Sequence, residues 1–171
     1  MNQNNTVTQS QKTAGRENGV RFFTETIEVV RISPLAFFEA GQKGYEEQLF
    51  YWQNASQTLT LVGLGHAEVL TSDGNENRFL DISNRWQDLC TALIKEEKDH
   101  APILFGGFSF DPQSVKDSEW DGFPSAYFVV PSLQLMSENG QTTISINLIT
   151  TEGNAIAEFD ALREERDRLI H

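Results

Sequence analysis

The sequence predicts an α+β fold, an antiparallel β-sheet with helices packed against it, and three observations carry that prediction. Polar loops and an Asn-Gly pair separate neighbouring strand-like runs, which calls for hairpins and antiparallel pairing. Two stretches place apolar residues at steps of three and four, as helices resting on a sheet require. The elements follow one another as helix, hairpin, helix, three strands, helix, without the alternating βα rhythm of a doubly wound parallel sheet.

Residues 1–19 are rich in Asn, Gln, Thr and Ser and hold no large apolar side chain beyond Val7, so they are expected to form a loose polar tail. The folded part is expected to start near Val20 and to run to 171 as one domain. Ser33-Pro34 gives a helix start, an N-cap oxygen followed by a ring already at helical φ. Leu35, Phe38 and Tyr45 recur behind it, and the helix ends near Gly44. Residues 48–53 (QLFYWQ) and 58–70 (TLTLVGLGHAEVL) read as two strands joined by the polar loop Asn54-Ala55-Ser56-Gln57. Between residues 76 and 98, Phe79, Ile82, Trp86, Leu89, Cys90, Leu93 and Ile94 keep helical spacing with no Gly or Pro between them, which predicts the clearest helix of the chain.

Residues 102–110 (PILFGGFSF), 126–136 (AYFVVPSLQLM) and 142–150 (TTISINLIT) read as strands. Asn139-Gly140 is placed for a tight turn at positive φ, and Pro131 calls for an edge position or a bulge. The last helix covers 154–170, with Ile156, Phe159, Leu162, Leu169 and Ile170 on one stripe and Arg163, Arg166 and Arg168 where the helix dipole favours cations.

The 13 basic residues against 25 acidic ones leave a formal charge of −12, which argues against a nucleic-acid partner and an anionic membrane surface. No run approaches the ~18 apolar residues that span a bilayer, and the polar N-terminus lacks a secretory apolar region, so a cytoplasmic location is expected. The single cysteine, Cys90, excludes an internal disulfide and any zinc site needing two thiolates.

Each motif with a chemical reading also has a structural one. Gly63-Leu64-Gly65 lacks the third glycine and following helix of a dinucleotide loop, so its glycines are read as letting a strand bend or a neighbour approach. Gly106-Gly107 could hold an anion on backbone N–H groups, but the flanking Leu104, Phe105, Phe108 and Phe110 argue for a buried strand. Cys90 is read as a small core residue of the long helix, since a nucleophile needs a base and His66 or His100 could supply one only through a fold contact. His100 ends the charged run 95–99, which reads as solvated. Asp111, Asp117, Glu119 and Asp121 around Trp120 are read as a polar surface loop rather than a magnesium or acid–base site. Asn4-Asn5-Thr6 and Asn54-Ala55-Ser56 match the glycosylation sequon but lack a secretory signal. No catalytic, cofactor-binding or metal-binding residue is assigned.

The ordered set SPLAFFEAGQKG (33–44), LFYWQN, TLTLVGLGHA and PILFGGFSFDP (102–112), followed by Trp120, Phe123, Phe128 and Pro131, resembles the N-terminal half of isochorismate synthases. These belong to the chorismate-utilising superfamily, and the likeness, over roughly 33–150, is strongest to menaquinone-pathway members of Gram-positive bacteria. The resemblance implies one α+β domain of large antiparallel sheets wrapped by helices. It also implies Mg2+-dependent isomerisation of chorismate, in which a lysine base activates water for attack at carbon 2 while a glutamic acid protonates the departing carbon 4 hydroxyl. Those groups, the metal-binding carboxylates and the basic groups that grip chorismate all belong to the family's C-terminal half. Its Lys-Val-Val-Leu-Ala-Arg strand and Ser-Pro-Glu-Arg segment have no counterpart here.

The chain is therefore expected to be an N-terminal portion of an isochorismate synthase, inactive alone, reaching chorismate through the missing half and prone to self-association through exposed strand edges. The alternatives are a portion of an anthranilate, aminodeoxychorismate or salicylate synthase, or a stand-alone non-catalytic interaction module.

Overall fold

The computed structural model describes residues 19–73, 76–110, 122–151 and 154–171, so nearly all of the predicted tail lies outside the described residues. The elements are β1 (Arg21–Val29), α1 (Pro34–Tyr45), β2 (Leu49–Gln53), β3 (Leu59–Leu64), β4 (Glu68–Ser72), α2 (Arg78–Thr91), β5 (Leu93–Ile94), β6 (Phe105–Phe108), β7 (Ala126–Val130), β8 (Leu133–Glu138), β9 (Gln141–Thr150) and α3 (Ala155–Ile170). Six strands form a large sheet in the order β2-β3-β8-β9-β1-β5, and three form a small one in the order β4-β7-β6. The α+β class holds, and every pairing is antiparallel except β1 with β5.

Several elements depart from the sequence reading, each for a physical reason. Strand β1 is absent from that reading because its inward positions include Thr24 and Thr26, so the apolar alternation that marks a half-buried strand is masked. The run 58–70 is two strands in different sheets, parted where Gly65 takes φ +71 and the Ala67 N–H bonds Val130. Likewise 126–136 breaks at Pro131, which marks the passage from β7 to β8 rather than an edge or a bulge, consistent with its missing N–H. The long helix stops at Thr91, because Leu93-Ile94 pairs in parallel with Phe22-Phe23. Of the predicted strand 102–110 only Phe105–Phe108 is paired.

One face of the large sheet is apolar. Val62 and Leu64 of β3, Leu133 and Leu135 of β8, and Ile144 and Ile146 of β9 lie side by side in register and are fully buried under α1 and α3. Each such side chain contributes about 1.5–3 kcal/mol of burial. Pro34 opens α1, as predicted, but Ser33 makes no side-chain capping bond, and Phe37 and Gly41 face inward while Leu35 is exposed. In α3, Asn154 accepts from the Ala157 N–H and Leu169 is buried, whereas Ile156 is exposed. Arg163 and Arg166 reach the sheet rather than serving the helix end alone. Glu25 extends the buried row of Ile146 on β1, and both guanidiniums bond it, Arg166 at 3.0 Å. Chiefly the hydrogen bond from Arg163 holds the Glu25 carboxyl below its ordinary range.

The opposite face of the same sheet is polar and also buried. Thr26 and Ser145 share a hydroxyl hydrogen bond of 2.8 Å, the Thr24 hydroxyl donates to Asn147, and Gln134 accepts from the Ile103 N–H. Asp99, read as part of a solvated run, is buried here and accepts from the Thr26 and Glu96 N–H groups at 2.9 and 2.7 Å. Its carboxylate takes over the edge of β1 where β5 ends, and the His100 N–H donates to the Thr26 hydroxyl beside it.

The small sheet packs on α2 through Leu70, Ile82 and Ala126, with Trp86 and Leu89 alongside. A Cβ on Gly106 would stand 2.0 Å from the Tyr127 carbonyl oxygen, whereas one on Gly107 would meet nothing within 4 Å. Gly106→Ala is predicted to destabilise the chain by about 2–3 kcal/mol through a backbone clash, and Gly107→Ala by no more than about 1 kcal/mol. Urea unfolding of the two variants checks this, and equal losses would contradict it.

Candidate functional site

The two crossovers between the sheets run side by side. The β3–β4 passage carries Gly65, His66 and Ala67, and the β7–β8 passage carries Pro131 and Ser132. Asn147 of β9 binds the second passage twice, its backbone N–H donating to Ser132 at 2.8 Å and its side-chain amide to Pro131 at 2.9 Å. The two glycines of the GLG motif serve this junction. A Cβ on Gly63 would press on Pro131 and Phe105 at 3.1 and 3.3 Å, and one on Gly65 would meet the Tyr45 ring at 2.7 Å. Close side-chain packing at both, with the positive φ of Gly65, accounts for these glycines without a nucleotide phosphate.

Next to the junction lies a cavity of about 400 Å³, bounded by His66, Ser132 and Asn147 on one side and by Glu158 and Leu162 of α3 on the other. The His66 ring lies against Phe50 with centroids 6.0 Å apart, and its Nε2 is buried without a hydrogen-bond partner. Burial pushes the His66 pKa below its ordinary value, which favours the neutral ring. Asn147 has its amide and carbonyl committed to Pro131 and Thr24, so it positions the wall.

The other residues singled out in the sequence do not gather here. Cys90 is exposed on α2 rather than buried in the core, and partial burial still raises its thiol pKa, which keeps it protonated. His100 lies on the polar face, its Nδ1 3.3 Å from the Thr143 hydroxyl. No base stands against Cys90 among the described residues, so a Cys–His pair is absent there. Phe105 is buried as expected of a packed strand, but Phe110 is fully exposed. Asp111, Asp117, Glu119, Trp120 and Asp121 lie outside the described residues. Asn54 closes the β2–β3 hairpin by accepting from the Thr58 and Leu59 N–H groups, which gives that sequon a turn-forming role. Among the described residues no three His, Cys, Asp or Glu side chains converge to hold a metal ion, and no helix is long and apolar enough to cross a membrane.

The described residues thus present one histidine-lined cavity beside the sheet junction. A family model described as chorismate binding enzyme matches residues 8–171. The chain belongs to this family. The chain is 37% identical over 145 residues to the isochorismate synthase MenF of Bacillus subtilis, covering 80% of this chain and 31% of that protein. It is 30% identical over 113 residues to the salicylate biosynthesis isochorismate synthase of Pseudomonas aeruginosa, covering 66% of this chain and 23% of that one. The solved structure of MenF, the menaquinone-specific isochorismate synthase of Escherichia coli, superposes with a TM-score of 0.54 over 85% of this chain and 29% of that chain, at 21% identity. That likeness establishes the fold alone. The chain spans less than a third of the length of the relatives it matches.

A half-buried His66 with its Nε2 enclosed has a sign in pH. Its lowered folded-state pKa makes protonation favour the unfolded chain, so its contribution to stability is intact above about pH 6.5 and declines as pH falls through the folded value. An NMR titration of the His66 ring is predicted to give a midpoint below 6.5, and a midpoint above that value would contradict this burial.

Proposed function

We propose that this chain is the sheet scaffold of an isochorismate synthase of the menaquinone pathway, an enzyme that isomerises chorismate to isochorismate in the cytoplasm. The observation that carries the proposal is the 37% identity, over 80% of the chain, to the Bacillus subtilis isochorismate synthase. The lower identity to the salicylate-pathway enzyme supports the choice of pathway. In this reading 20–171 forms one unit that orders its share of the enzyme, and residues outside it bind chorismate and perform the isomerisation. Mg2+ belongs with those residues. The described part of this chain offers no ligand set for the ion, so no catalytic step is assigned to it here.

The surface supports a scaffold role. The small sheet ends at β6, where Phe79 of α2 is exposed and stacks on Phe108 with ring centres 4.1 Å apart, while the exposed Tyr127 of the central strand β7 lies on the opposite face. An aromatic patch at a strand edge is a surface that a partner covers, and the remaining length of the enzyme is the partner this reading assigns. A second copy of this chain is the competing occupant.

Co-expression tests the proposal. This chain is combined with the Bacillus subtilis enzyme from which the matching segment has been removed. The pair is expected to form isochorismate from chorismate and Mg2+, and neither part alone to do so. Formation of anthranilate that depends on added ammonia would overturn the choice of reaction. Turnover by this chain alone would overturn the scaffold role, and so would a soluble chain that never associates with the remainder.

A further inference from the structure

A second cavity, of about 410 Å³, lies away from the sheet junction, between the first residues of β1 and the first turns of α3. Its apolar lining is Phe23, Ile156 and Phe159, the two rings 6.2 Å apart and tilted. Ile156 is 76% exposed although it lies on the predicted core stripe of α3, so it contributes an apolar surface without belonging to the core. Two arginines stand at this lining. The Arg163 guanidinium lies 4.9 Å from the Phe159 ring centre but is already bonded to Glu25 and Asp160. The Arg21 guanidinium lies 5.9 Å from the Phe23 ring centre and makes no ion pair among the described residues.

Among the described residues Arg21, like Arg31, Lys43, Arg78 and Lys95, makes no ion pair. It stands beside a cavity of the size and apolar lining that small ligands occupy. We infer that this cavity binds a small aromatic carboxylate, its ring against Phe23, Ile156 and Phe159 and its carboxylate on the guanidinium of Arg21. The ring supplies apolar burial, and the guanidinium supplies a charge-assisted, bidentate partner that a neutral ligand does not use. The site is separate from the His66 cavity and from the aromatic patch beside β6, and it does not depend on the reaction proposed for the whole enzyme.

The probe is 2-naphthoate, with 2-naphthamide as its neutral counterpart, titrated into this chain and followed by amide NMR shifts. Saturable binding in the range of about 0.1–1 mM is expected, with the largest shifts at Arg21, Phe23, Ile156 and Phe159. The amide is expected to bind about ten-fold more weakly, and Arg21→Gln to weaken naphthoate by a similar factor while leaving the amide unchanged. Ile156→Glu, a change at an exposed position, is expected to abolish binding of both, and Arg31→Gln to change neither. Equal binding of acid and amide would overturn the inference. So would an Arg21→Gln variant as tight as the parent, shifts centred on the patch beside β6, or no saturation at all.

Discussion

Asn147 makes the connection on which the rest of the structure depends. Its backbone belongs to β9, the strand paired to both β1 and β8, while its amide and N–H hold the Pro131-Ser132 passage and its carbonyl oxygen accepts from Thr24. At 1% exposure it spends every side-chain polar atom on protein. A buried amide left with an unmet donor or acceptor carries a penalty of about 1–3 kcal/mol, so this geometry is strongly specified. The consequence is topological. Asn147 holds the β7–β8 passage, the Ala67 N–H ties the β3–β4 passage to Val130 beside it, and the two sheets diverge from there.

Around that point the large sheet has two unlike faces, and each explains a part of the sequence. The face under α1 and α3 is aliphatic, closed at the β1 side by Glu25 with Arg163 and Arg166. The other face is a hydroxyl and amide network, finished by Asp99 at the edge of β1. Such a network fixes register, because each polar atom is satisfied only in one alignment of the strands. That is the property of a rigid framework. The His66 cavity and the Arg21 cavity are concave features of this scaffold, one beside the junction and one beside the start of α3.

Much of this was legible in the sequence where a single local rule decides the outcome. Ser33-Pro34, the Asn54 loop and Asn139-Gly140 are each set by backbone chemistry within a few residues. Each appears where expected, Asn139 and Gly140 both at positive φ. What misled was continuity. The run from Thr58 to Leu70 keeps its strand-like character through Gly65, and 126–136 keeps it through Pro131, because apolar residues continue on both sides while the chain changes sheets. Helical spacing likewise continued through Leu93 and Ile94, which a parallel pairing with β1 claims instead. Threonines on the inward side of β1 concealed that strand altogether. The roles of Asp99, Asn147 and Arg21 each depend on long-range neighbours, so no local signal announced them. The family likeness was legible because it lay in ordered segments.

The most direct test of this account is native-state amide hydrogen exchange at increasing denaturant, comparing the small-sheet strands β4 and β7 with β8 and β9 of the large sheet. If the junction at Asn147 couples the sheets, the exchange free energies of the two sets converge on one global opening. If β4, β7 and α2 open together at lower free energy while β8 and β9 stay protected, the sheets are independent and the junction does not hold the fold together.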